Sequence, residues 1–119
     1  MAQHNELGKW GEDVAVKFLR SKGFDIIERD WRSGHRDIDI IALEGDIIHF
    51  VEVKTRSSIE LSSPVYTIPF AKRRNLMIAI NHYVKSKYLD NNFQFDIITV
   101  IGQINSTPKI EYMDDIRLY

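Results

Sequence analysis

The sequence contains no cysteine, which excludes disulfides, thiolate zinc sites and cysteine nucleophiles, and which suits a reducing compartment. It also has no apolar run approaching the ~20 residues of a membrane span, and the stretch from Met1 to Leu7 is polar where a signal peptide needs an apolar core. The expectation is a cytoplasmic chain without a membrane partner. Basic excess is missing too: 16 Lys and Arg stand against 17 Asp and Glu, for a net charge of -1. Bulk electrostatic attachment to nucleic acid draws on many phosphate-neutralising cations, so any such footprint here has to be local. The four histidines, His4, His35, His49 and His82, have none of the spacings of a zinc site, and no ligand role is assigned to them. Repeats, low-complexity tracts and linker-like segments are absent.

What is present is an ordinary globular balance, 44% hydrophobic and 28% charged over 119 residues. That length fits one core better than two marginal ones, and residues 1–119 are read as a single domain. Leu7, Trp10, Val14 and Phe18 recur at spacings of three and four, with Ala15 and Leu19 widening the stripe. This predicts an amphipathic helix with Asn5 as N-cap and Gly23 as its left-handed stop. Phe24 to Trp31 reads as a strand. Arg36–Leu43 and Ile47–Arg56 read as an antiparallel hairpin around Glu44-Gly45-Asp46. Ser57 to Ile68 reads as a long surface loop. A second helix is expected from Pro69 to about Tyr88, with Leu76, Ile80, Tyr83 and Val84 on one face. Strands follow at Phe93–Ile101 and Lys109–Met113. The fold class is therefore α/β, a mixed β-sheet flanked by helices in the order αβββαββ.

Chemistry concentrates on the hairpin. Strand alternation puts Glu52 and Lys54 on one face, about 6.6 to 6.8 Å apart along the strand, with Val53 turned away. A turn centred on Glu44-Gly45 sets Asp39 opposite Phe50, and one centred on Gly45-Asp46 sets it opposite Glu52. Both make the carboxylates direct or diagonal neighbours, whereas a three-residue loop without a bulge would reverse the facing. Adjacent carboxylates repel and are costly to bury without a cation. Mg²⁺ or Mn²⁺ suits such oxygen ligands, with the Val53 main-chain carbonyl as a further donor. Lys54 would then orient water or offset charge on a phosphate.

Glu12 lies at the border of the helix stripe, within reach of the rim of the sheet, and Gly8 and Gly11 would let that helix come close to the strands. Lys72, Arg73 and Arg74 crowd the first turn of the second helix, where the macrodipole favours anions. With Arg56 they form the candidate phosphate footprint. Each feature also has a plainer reading: a solvated cross-strand salt bridge for Glu52 and Lys54, a surface glutamate for Glu12, a solvated helix start for the basic run. Trp31 beside Arg32 is read as packing rather than as a base-stacking platform.

Gly8 to Glu12 as G-x-x-G-E, Trp31-Arg32, Asp37 to Ile41, Phe50 to Arg56, Lys72 and Phe95-Asp96 together resemble the YraN-like family of uncharacterised bacterial proteins, nearly end to end. That family is similar in its core to the Holliday-junction resolvase branch of the restriction-endonuclease-like, PD-(D/E)XK, superfamily. The resemblance implies a metal site of a helix Glu, a strand Asp and a Glu-x-Lys, which carry over to Glu12, Asp39, Glu52 and Lys54. Two departures leave those four positions untouched: Asp37 stands where the family usually has Glu, and Gln94 where Arg commonly precedes Phe-Asp. The expectation is a Mg²⁺- or Mn²⁺-dependent endonuclease acting on DNA, with branched or structured DNA in view and a homodimer where paired cuts are needed. The alternatives are a catalytically silent module that keeps the fold to bind nucleic acid or a partner, and a protein-interaction domain with no nucleic-acid role.

Overall fold

The structure, a computed structural model, describes residues 6–57, 68–87 and 89–118. The elements follow the order helix, three strands, helix, two strands. They are α1 (Glu6–Ser21), β1 (Asp25–Ser33), β2 (Arg36–Glu44), β3 (Ile47–Arg56), α2 (Phe70–Ser86), β4 (Phe93–Ile101) and β5 (Lys109–Met113). The five strands form one mixed sheet in the order β1-β2-β3-β4-β5, antiparallel throughout except for the parallel β3 and β4. A parallel pair needs a crossover, and α2 lies on it. The mixed α/β class and element order expected from the sequence are those observed. Among the described residues no helix is long and apolar enough to cross a membrane.

Local chemistry explains the boundaries. Gly23, at φ 93°, ends α1: its N–H reaches the Arg20 carbonyl at 3.0 Å and the Phe24 N–H reaches that of Leu19 at 3.0 Å, the paired bonds of a Schellman stop. The proposed cap Asn5 lies outside the described residues, as do positions 58–67 of the expected loop. β1 runs from Asp25 to Ser33 rather than from Phe24 to Trp31, because Phe24 turns into the core (6% exposed) and Arg32 and Ser33 pair with Asp37 and Arg36. Pro69 precedes α2 instead of opening it, and the helix ends at Ser86, before the expected Tyr88.

The sheet separates two apolar layers. On one side Ile41, Phe50 and Ile97 pack under Leu76, Ala79, Ile80 and Tyr83 of α2. On the other Ile40, Val51, Ile98 and Val100 pack under Ala15, Val16 and Leu19 of α1. Trp31 packs, as expected, edge-on to Tyr83 with ring centroids 5.1 Å apart.

One glycine seats α1 on the sheet. A Cβ at Gly11 would land on the Thr55 hydroxyl and lie 2.9 Å from Thr55 Cγ2 and 3.0 Å from Thr55 Cβ. Rotating Thr55 cannot clear the last contact, so the close approach requires Gly11. Overpacking costs about 1–3 kcal/mol, partly offset by ~1 kcal/mol of helix propensity gained over glycine. Gly11→Ala is expected to lower the urea midpoint, and adding Thr55→Ala to recover part of the loss. A wild-type midpoint in Gly11→Ala would show that the helix does not depend on this contact.

Candidate functional site

The hairpin resolves the register left open by the sequence. Glu44 pairs with Ile47 around a two-residue turn in which Gly45 has φ 59°. Pairing of β2 with β3 then runs only as far as Ile40 and Val51. Beyond that point β2 stays with β1 through Trp31–Ile38 and Ser33–Arg36, while β3 stays with β4 through Glu52–Ile97 and Arg56–Ile101. The sheet therefore forks, and Asp39 and Glu52 stand in the crotch, opposite each other by continuation of the register.

Within the fork Asp39 occupies a place that the next rung of the ladder would otherwise take. Its Oδ2 accepts the Val53 N–H at 2.8 Å, satisfying a main-chain donor that the splayed strand cannot. Simple alternation does not survive here: Ile38 joins the α2 layer and Ile40 the α1 layer, so the chain reverses its facing at Asp39. On β1 the neighbouring irregularity is Asp30, a left-handed residue at φ 49°. The fork consequently admits side chains from both sides of the sheet.

A cavity of about 300 Å³ results, lined among others by Glu12, Asp39, Glu52, Val53, Lys54 and Lys72. All four positions Glu12, Asp39, Glu52 and Lys54 thus meet at one place. Glu12 is more enclosed than a helix-border residue suggests, at 5% exposed, because Gly11 brings α1 against β3. Arg29 lies 3.7 Å from the Glu12 carboxylate and 2.8 Å from Asp13. One oxygen each of Glu12, Asp30 and Asp39 lie within 4.8 Å of one another. Asp30 was not a candidate from sequence. Its only signal was an aspartate interrupting a strand pattern, a residue type that tolerates left-handed backbone.

Electrostatics follow from enclosure. Burial is the main force pushing the Asp39 carboxyl well above the usual carboxylate range; the Glu52 charge adds to it and the Val53 N–H opposes it. Burial likewise raises Glu52, against the pull of the Lys72 ammonium. Each carboxylate is harder to ionise than it would be in water, the condition that a bound cation relieves.

Of the basic residues proposed as a phosphate footprint, Lys72 is in the cavity, its Nζ 3.5 Å from Glu52 Oε2. Arg56, Arg73 and Arg74 are not among its lining residues. Arg73 stands over the Phe70 ring at 5.8 Å, with a buried Nε that has no hydrogen-bond partner among the described residues. Arg74 is exposed.

A second polar cluster went unread in the sequence. Asp96, wholly buried in β4, receives four hydrogen bonds. His49 Nδ1 and the Tyr112 hydroxyl both reach Oδ2 at 2.6 Å, Gln94 Nε2 reaches Oδ1 at 2.9 Å, and the Asp115 N–H reaches Oδ1 at 3.0 Å. A carboxylate in this state only accepts, so Nδ1 carries the imidazole proton. Burial, reinforced by Asp96, raises the Tyr112 hydroxyl above its ordinary value. The cluster ties β3, β4, β5 and the C-terminal segment together and shares no residue with the acidic cavity. A larger, mostly apolar groove of about 640 Å³ between α2 and residues 115–118 is also separate from it.

Residues 11–100 match the uncharacterised protein family UPF0102. The chain belongs to this family. The UPF0102 match spans the fork, all four acidic and lysine positions and Asp96. A UPF0102 protein of Flavobacterium psychrophilum is 47% identical over 115 residues, covering 97% of this chain and 96% of that protein. One of Christiangramia forsetii is 42% identical over 119 residues, covering 100% and 99%. One of Rhodococcus opacus is 35% identical over 116 residues, covering 97% and 98%. The YraN-like resemblance read from the motifs is borne out at the level of the family.

Proposed function

We propose that the chain is a divalent-metal-dependent nuclease of the restriction-endonuclease-like type, hydrolysing phosphodiester bonds in DNA, with structured or branched DNA as its substrate class. The observation that carries this reading is the fork. It encloses Asp39 and Glu52 together, destabilises their charged forms and leaves Lys54 on the same wall. In that reading Asp39 and Glu52 hold Mg²⁺ or Mn²⁺. The Val53 carbonyl is the third donor in this reading: the N–H and C=O of one strand residue point to the same side, and the Val53 N–H is directed at Asp39. The donor set, oxygens only and acidic, fits a hard cation.

The bound cation would supply Lewis acidity and a water of lowered pKa. The remaining work falls to the chain. Glu12 adds a further carboxyl beside Asp39 and is itself steadied by Arg29. Lys54 places an ammonium where charge develops on the phosphate, the kind of preorganised stabilisation worth about 10²–10³ in rate. The buried layers beneath the fork hold these groups without rearrangement. Cytoplasmic action, and a homodimer for paired cuts, belong to the same reading.

One observation favours a second reading, a silent module that binds without cutting: Arg29 and Lys72 already partner Glu12 and Glu52. A panel of linear and branched DNA incubated with Mg²⁺ or Mn²⁺ separates the two. The nuclease reading expects cleavage that Lys54→Ala reduces about 10²-fold while leaving metal-induced thermal stabilisation in place. Binding that persists in EDTA, with no cleavage of any substrate, would favour the silent module. Cleavage undiminished by Glu52→Ala and Lys54→Ala would place the activity elsewhere.

A further inference from the structure

Two amines enter the acidic cavity, and they are mounted differently. Lys54 is on β3, the strand that carries Glu52. Lys72 comes from α2 across the cavity, and its Nζ reaches Glu52 Oε2 at 3.5 Å. That separation is longer than the ~2.7–2.9 Å of a tight charge-assisted hydrogen bond. The two partners also differ in freedom: the Glu52 side chain is 10% exposed, whereas that of Lys72 is 40% exposed. The lysine can swing into solvent without opening the core, and the glutamate cannot.

The helix gives Lys72 little reason to be where it is. The first turn of α2 has no acidic residue, and Pro69 supplies no side-chain cap, so a cation there meets the positive end of the macrodipole. One favourable interaction of its ammonium is with the Glu52 carboxylate across the cavity.

We infer that Lys72 is the displaceable internal counter-cation of the acidic cavity: it neutralises Glu52 in the metal-free protein and is exchanged for the divalent ion. The inference rests on the metal reading of the cavity. The exchange would replace a long, solvent-accessible contact with direct ligation by hard oxygens, and it would set the metal affinity below what the bare carboxylates give. The ammonium competes for Glu52, so removing it should strengthen metal binding.

The test is a Mn²⁺ titration of the full chain, with free Mn²⁺ read by electron paramagnetic resonance. Lys72→Met keeps the aliphatic stem and removes the charge; it is expected to bind Mn²⁺ roughly 3- to 5-fold more tightly, as a half-exposed ion pair of this kind allows. Lys72→Arg should stay near wild type. Arg74→Gln, which removes the same charge from the same turn at an exposed position, controls for the long-range field and should change affinity by less than about 1.5-fold. In EDTA, Lys72→Met should lower the melting temperature at neutral pH because Glu52 loses its counter-cation, and a Glu52→Gln background should remove that difference, which a merely structural role would not reproduce.

Lys72→Met that matches Arg74→Gln, or binds more weakly than wild type, overturns the inference while wild-type binding that is lost in Asp39→Asn leaves the metal reading standing. Equal Mn²⁺ affinity in wild type and Asp39→Asn would sink the metal reading and this inference together.

Discussion

Asp39→Asn is expected to lower Mn²⁺ affinity and DNA cleavage by at least about 10²-fold, more than the loss that typically follows removal of a residue merely supporting a ligand, while making the metal-free protein more stable. The two effects have one origin. Asp39 is held in an enclosed site against the Glu52 charge, so its ionised form is a cost in the metal-free state and a ligand when a cation is present. Asparagine keeps the oxygen that accepts the Val53 N–H and removes the charge. For a domain of this size, ~1 kcal/mol regained corresponds to about 3–6 °C in Tm.

The pH dependence has a definite sign. A carboxyl whose folded pKa exceeds its unfolded value binds its proton more tightly when folded. Its contribution is complete below the unfolded pKa of about 4 and is lost as pH rises through the folded value. Asp39 and Glu52 both shift in that direction. The wild-type, metal-free protein should therefore lose stability from about pH 4 upward in this term, and Asp39→Asn should flatten that part of the profile. Thermal denaturation in EDTA over that range, repeated with Mn²⁺, measures both halves. Asp39→Asn that is less stable than wild type at neutral pH in EDTA would contradict the electrostatic argument, whatever happens to activity.

The second large effect concerns stability alone. Asp96→Ala should cost about 3–5 kcal/mol, as expected when one member of a buried polar cluster is removed and its partners remain. His49 Nδ1, the Tyr112 hydroxyl, Gln94 Nε2 and the Asp115 N–H would all lose their acceptor. Asp96→Asn should cost less: with its oxygen toward Gln94 Nε2 and the Asp115 N–H, its NH₂ meets His49 Nδ1 and the Tyr112 hydroxyl, which both accept once the imidazole proton moves to Nε2. Against the ~5–15 kcal/mol that stabilises a typical domain, the alanine change should be plain in urea denaturation. A loss below ~1 kcal/mol for Asp96→Ala would mean that water takes over the abandoned donors. Because the cluster is separate from the cavity, residual folded Asp96→Asn should retain metal affinity.

Much of this architecture was legible because it is written in local patterns. The 3.6-residue stripe of Leu7 to Leu19, the glycine at position 23 and the alternating runs around Gly45 each depend on nearby residues, and each element appears where expected to within a few positions. The neighbourhood of Asp39, Glu52 and Lys54 followed from the hairpin, once a two-residue turn selected among the registers.

What was not legible depends on contacts between distant segments. The fork breaks the alternation on which the facing argument relied, and its signature, Asp39 replacing a ladder partner, is a tertiary event. Lys72 reaches Glu52 only because α2, which packs on β2 and β1, runs beside the fork. The union of His49 with Asp96 likewise depends on that parallel register, in which His49 pairs with Gln94 and Val51 with Asp96. A lone aspartate in the apolar run from Phe95 to Ile101 signalled a buried partner without naming it.

Crystals of the wild-type chain grown with Mn²⁺ and measured for its anomalous scattering give the most direct test of the central claim. The expected result is a peak in the fork, within about 2.0–2.4 Å of oxygens from Asp39 and Glu52, that vanishes in Asp39→Asn. A fork left empty at millimolar Mn²⁺, or a peak confined to another part of the molecule, would contradict it.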